Sequence, residues 1–96
     1  MLSNSKFYFV PVVNPDGLNL IEEYHHSSPS ITAIVDIRKN QNPKGSGSCD
    51  PQTQGVDLNR NYGVDWTLNQ ELFQKSYKDP CFEFYAGSKP FSEPET

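Results

Sequence analysis

Ninety-six residues with a formal net charge of −4 allow one small domain, near the lower end of the usual range of roughly 50–200 residues. Only 34% of the chain is hydrophobic, against eight prolines and six glycines, so the apolar supply for a core is thin and the margin for folding small. The eight basic residues are scattered, which gives no electrostatic reason to bind nucleic acid or an anionic membrane, and no apolar run approaches the ~20 residues of a membrane helix.

The apolar run Phe7 to Val13 is short, is interrupted by Pro11 and is followed by no small-residue cleavage site, so it does not read as a targeting signal. Lys6 to Val13, rich in Phe, Tyr and Val, predicts a buried strand with Pro11 near its C-terminal end. Asn14-Pro15-Asp16-Gly17 signals a turn, because proline presets φ and glycine accepts a positive φ. Leu18 to His26 predicts a short helix, broken by Ser27-Ser28-Pro29-Ser30, and the β-branched Ile31 to Ile37 predicts a second strand. Asn40 to Gln54 is Gly, Ser, Asn, Pro and Gln almost throughout and has no means of building a core. Trp66, Leu68, Leu72, Phe73 and Tyr77 mark a helical face, and Phe82 to Tyr85 leads into a turn at Gly87. Ser92-Glu93-Pro94-Glu95 is a capping box, predicting a helix whose body lies beyond residue 96; on that pattern the chain reads as a fragment.

The stretch Gly55-Val56-Asp57-Leu58-Asn59-Arg60-Asn61-Tyr62 is the densest in chemistry. A guanidinium can grip both oxygens of a carboxylate, and a neighbouring amide can donate a further hydrogen bond, so Asn59 beside Arg60 suits a carboxylate clamp. Taken alone the dipeptide is better read as surface, with Arg60 paired to Asp57 or Asp65 at ~1 kcal/mol or less. His25 and His26, with Glu22 and Glu23, form two overlapping Glu-x-x-His pairs; one pair supplies at most two metal ligands, and a solvated His-His pair is the preferred reading. Cys49 and Cys81 permit a single bridge or two free thiols. No Ser or Cys has a motif pairing it with histidine, and no glycine-rich phosphate loop follows a strand.

Five blocks occur in order: Asn14-Pro15-Asp16-Gly17, Arg38-Lys39-Asn40, Gly55 to Asn61, Pro80-Cys81, and Pro90-Phe91-Ser92-Glu93-Pro94-Glu95-Thr96. The series resembles the middle of a zinc metallocarboxypeptidase of the carboxypeptidase A/B type. The resemblance implies an α/β fold, a piece of a mixed β-sheet flanked by helices, with residues 1–96 forming the central segment of a catalytic domain. It implies that Asn59 and Arg60 hold the terminal carboxylate of a peptide substrate. Arg38 would stabilise the oxyanion formed when water attacks the scissile carbonyl, an effect typically of ~2.7–4 kcal/mol. Asp57 would orient a zinc-bound histidine from the second shell of the metal. It implies a Cys49–Cys81 disulfide, contributing roughly 3–4 kcal/mol on the loop-entropy model, and hence an oxidising, extracellular or lumenal compartment. The zinc is the family's cofactor; its ligands and the general base are expected outside this chain, which alone should be inactive. The partner implied is the C-terminus of a peptide or protein. The alternatives are a non-catalytic module binding peptide C-termini, or a degenerate secreted domain.

Overall fold

In a computed structural model of the chain, residues 4–27, 37–73 and 77–96 are described. Their regular elements are helices: α1 (Pro15–Ser27), α2 (Pro43–Ser46), α3 (Leu58–Asn61) and α4 (Trp66–Leu72). None of them is long and apolar enough to cross a membrane.

Local chemistry explains where they begin. The Asn14 side chain accepts from the Gly17 N–H at 3.0 Å, and its carbonyl accepts from the Leu18 N–H at 3.1 Å. Pro15 follows, where its missing N–H would have had no partner anyway. The predicted turn is therefore the start of α1, which begins three residues before Leu18. At the other end the Ser27 hydroxyl donates to the Glu23 carbonyl at 2.9 Å, the local competition that favours a helix end. Asn42 caps α2 through the Lys44 N–H at 3.0 Å, a small helix inside the predicted loop. Asp57 caps α3 through the Asn59 N–H at 3.1 Å.

The expectation of an α/β fold with part of a mixed β-sheet is not met: no strand occurs among the described residues. Lys6 to Val13, expected to be buried, is exposed, with Phe7 at 62%, Tyr8 at 88% and Phe9 at 82%. None of its backbone groups bonds to another described residue. β-Propensity expresses packing against a paired neighbour, and without that neighbour it does not make a strand. Most of the second predicted strand, Ile31 to Asp36, lies outside the described residues; Ile37 is buried but extends no strand.

What holds the chain is polar as much as apolar. Ile37, Val56, Leu58, Tyr85 and Ala86 are buried, and so are Lys39, Asn40, Asp57, Asn61, Gln70 and Glu93. Asn40 accepts the Val56 N–H at 2.8 Å and donates to the Glu93 carboxylate at 2.8 Å. Asn61 donates to Ala86 O, Lys89 O and Ser92 Oγ, and accepts from the Glu93 N–H and the Thr96 hydroxyl. Ser92 to Thr96 forms a turn in which the Thr96 N–H donates to the Glu93 carbonyl at 3.2 Å, while the Ser92 and Glu93 side chains bond to Asn61 and Asn40. Gly55, at φ +92, has no room for a side chain, since a Cβ would lie 1.5 Å from the Asn40 carbonyl oxygen. The Cα radius of gyration is 15.9 Å, against about 12.5 Å expected for a compact domain of this length.

Candidate functional site

The site is assembled from three places: the residue before Lys39, the cap and first turn of α3, and the aromatic run at Phe84. Asp57 is the hinge of the arrangement, nearly inaccessible at 1% exposure. One of its oxygens caps α3; the other accepts from Arg38 Nε at 2.8 Å and lies 3.9 Å from Arg60 Nε. Both guanidiniums sit over the Phe84 ring, Arg38 at 5.3 Å and Arg60 at 5.8 Å from its centroid, and Arg60 also lies 5.8 Å from the Tyr77 centroid. Arg60 Nη1 donates to the Asn59 carbonyl at 3.3 Å, whereas its Nε is buried with no hydrogen-bond partner.

A cleft of about 380 Å³ opens beside this cluster, lined by Val13, Asn14, Arg38, Asp57, Leu58, Asn59 and Tyr62. Arg38 and Asn59 thus share a cavity; Arg60 lies behind it, against the two rings. Two guanidiniums on a single carboxylate leave one net positive charge at the cleft. Because the Arg38 and Arg60 side chains are 33% and 31% exposed, each pairing with Asp57 contributes only about 1 kcal/mol. The charge therefore acts less on stability than on what approaches.

Sequence reasoning reached Arg38, Asp57, Asn59 and Arg60 one by one. It missed Phe84 and Tyr77, which carry the guanidiniums, and Val13, Leu58 and Tyr62, which give the cleft an apolar wall. It also missed Lys39. That residue is 4% exposed; its ammonium donates to the carbonyls of Thr53 and Pro80 (2.7 Å to the latter) and lies 5.7 Å from the Tyr85 centroid. The Cys49–Cys81 disulfide implied by the resemblance is present, with the Cα atoms 5.3 Å apart, and links the same two turns that Lys39 links.

Burial lowers the Lys39 pKa from 10.5 to about 8, with Asp79 and then Asp57 pulling it partly back. Burial, reinforced by Glu93, raises the Tyr85 pKa above its usual 10.0. Between pH 8 and 10.5 the unfolded chain holds the lysine proton that the folded chain has released, so stability rises with pH across that window. Above pH 10.0 the sign reverses for Tyr85, whose proton is retained only when folded. The urea midpoint should accordingly rise from pH 7.5 to about 9.5 and gain nothing further beyond 10. In Lys39→Met the rise should vanish; a wild-type midpoint that is flat or falling from pH 7.5 to 9.5 refutes the assignment.

The cleft thus combines a positive charge, an amide and an apolar wall, with the Arg60 guanidinium behind it. Residues 1–96 match the zinc carboxypeptidase family, peptidase M14, and the chain belongs to that family. It is 34% identical over 96 residues to a zinc carboxypeptidase of Simulium vittatum, covering all of this chain and 26% of that protein. It is 33% identical over 96 residues to inactive metallocarboxypeptidase ecm14 of Talaromyces stipitatus, covering all of this chain and 13% of that protein. A third relative, inactive metallocarboxypeptidase ECM14 of Arthroderma otae, is 32% identical over 91 residues, covering 95% of this chain and 12% of that protein. The chain thus spans about a quarter of the first relative's length and about an eighth of the other two. No solved structure matches it.

The family's zinc does not fit the residues described. Among them no group of three or more His, Cys, Asp or Glu side chains could hold a metal. Both cysteines are in the disulfide, and His25 and His26 are exposed in the last turn of α1.

Proposed function

We propose that the chain is the carboxylate-receiving segment of a zinc-dependent metallocarboxypeptidase that removes the C-terminal residue of peptides and proteins. In this reading Asn59 and Arg60 bind the terminal carboxylate and Arg38 stabilises the developing oxyanion. Asp57 would accept a hydrogen bond from a metal-binding histidine lying outside these residues and so orient it. The observation that carries the reading is the convergence of Arg38 and Arg60 on Asp57, with Arg60 Nε buried and unpartnered. A buried donor left without a hydrogen-bond acceptor is costly, and a carboxylate oxygen would satisfy it once the Arg60 side chain turned from behind the cleft towards Asn59. The disulfide suits an oxidising compartment, secreted or lumenal.

A second reading, that the protein binds peptide C-termini without cutting them, is favoured by the two relatives named inactive metallocarboxypeptidases. Both readings make the same prediction for this chain. N-benzoyl-glycyl-phenylalanine should bind by calorimetry and its C-terminal amide should not, and Arg60→Ala should weaken binding of the acid about tenfold or more. Equal binding of acid and amide would reject the clamp. Zinc content and hydrolysis of the same dipeptide by the full-length protein then separate the enzyme from the binding module.

A further inference from the structure

Arg38, Lys39 and Asn40 send successive side chains to three different parts of the chain. Arg38 bonds to Asp57, Asn40 to Val56 and Glu93, and Lys39 to the backbone oxygens of Thr53 and Pro80. The lysine is the unusual member. Among the described residues its ammonium forms no ion pair, although it is almost wholly buried; two carbonyl dipoles and a ring face hold the charge. Asp79 and Asp57 favour the charge only from beyond ion-pair distance, and an alkyl side chain would fill the space without the desolvation cost.

Its placement has a geometric consequence. Thr53 lies in the turn that follows Cys49, and Pro80 directly precedes Cys81, so the ammonium and the disulfide cross-link the same two turns. The disulfide holds them only to each other. Lys39 also joins them to the backbone adjacent to Arg38, and a side chain anchored at its tip restrains the setting of its own Cα and of the residue before it. An error of about 1 Å in a group facing a reacting or binding atom can lower efficiency by two orders of magnitude.

We propose that Lys39 is a positioning residue: by tying the turns at Thr53 and Pro80 to the chain beside Arg38, it sets the direction in which Arg38 faces the cleft. The proposal rests on the carboxylate-receiving reading only for its binding readout. An opening of about 280 Å³, lined by Arg38, Lys39, Gln52, Thr53, Cys81 and Glu83, adjoins the ammonium and offers a small amine a way in.

The test uses the whole chain, labelled with ¹⁵N, as Lys39→Ala and as Lys39→Gln, with Trp66→Phe as a control. The Nε–H of Arg38, bonded to Asp57, should give a slowly exchanging signal in wild type. Both Lys39 variants should lose that signal while keeping a folded amide spectrum, and propylammonium should restore it in Lys39→Ala. Affinity for benzoyl-glycyl-phenylalanine should fall about tenfold in the variants and recover with the amine. Trp66→Phe, which loses the indole donor to Ala86 O, should lower the urea midpoint without moving the Arg38 signal. A folded Lys39→Ala or Lys39→Gln chain with the Arg38 signal unchanged overturns the proposal. So does an amine that restores the midpoint and not the signal. Wild-type chain that fails to bind the dipeptide rejects the clamp, and the Arg38 signal still decides the role of Lys39.

Discussion

Asn61→Ala is expected to lower the unfolding free energy by about 3–4 kcal/mol, a large part of the roughly 5–15 kcal/mol of a typical domain. The side chain is fully buried and tied to five groups. Its amide nitrogen lies 2.8 Å from Ala86 O, 3.1 Å from Lys89 O and 2.9 Å from Ser92 Oγ. Its oxygen accepts from the Glu93 N–H at 3.2 Å and the Thr96 hydroxyl at 2.6 Å. Truncation leaves the Glu93 N–H buried without an acceptor, at about 1–3 kcal/mol, and opens a cavity that the tight turn at Gly87 cannot close. Ala86 O is the least affected partner, since the Trp66 indole also donates to it at 3.2 Å. Asn61→Asp separates the contributions. It keeps size and acceptor but loses both donor hydrogens and turns a carboxylate towards two carbonyl oxygens, so at pH 7 it should be at least as damaging as alanine. Urea unfolding checks both: the midpoint falls while the slope is unchanged. A loss below about 1 kcal/mol for Asn61→Ala would mean that the network relaxes around the gap and does not organise the C-terminal third of the chain.

That network also shows where the sequence is legible and where it is not. Caps are short-range chemistry: Asn14 before Pro15 and Asp57 before Leu58 act on atoms two to four residues away, so their patterns can be read directly. Ser92 and Glu93 present the same kind of pattern, and their side chains also join a distant network. Asn61 and Asn40 reach them across sequence separations of 31 and 53, contacts that the local pattern does not announce. Lys6 to Val13 fails for a related reason. A strand is a property of two segments, and the apolar run names only one of them. At the site, the order of the blocks singles out Arg38, Asp57, Asn59 and Arg60. That Arg38 lands on Asp57, with Phe84 beneath both guanidiniums, is set by contacts between blocks. Lys39 sits in the most visible of those blocks and was still missed, because a lysine in an Arg-Lys-Asn run carries no mark of burial.

Opening the Cys49–Cys81 bridge, with alanine at both positions, is expected to cost about 3–4 kcal/mol on the loop-entropy model. The two cysteines are separated by 32 residues, and the loop they close contains α3, α4 and the whole of the Asp57-Leu58-Asn59-Arg60 stretch. The closure acts mainly by restricting the unfolded chain, so most of the loss should appear in the unfolding equilibrium and little in the folded amide spectrum, provided that Lys39 still holds the turns. With the bridge open, that ammonium still joins the Thr53 and Pro80 carbonyls. Adding Lys39→Gln should therefore cost more than it does with the bridge intact, by a coupling of about 1 kcal/mol. Before global unfolding, hydrogen exchange should rise first in the 49–54 turn, which then keeps side-chain bonds such as Gln52 to Tyr24 and Gln54 to Gln41 but has lost the disulfide and the lysine. Strict additivity, within about 0.3–0.5 kcal/mol, would show that the covalent and hydrogen-bonded cross-links act on separate parts of the fold. Coupling would show instead that α3 and its guanidinium are held in place by one clasp with two kinds of bond, only one of which reaches the backbone of Arg38.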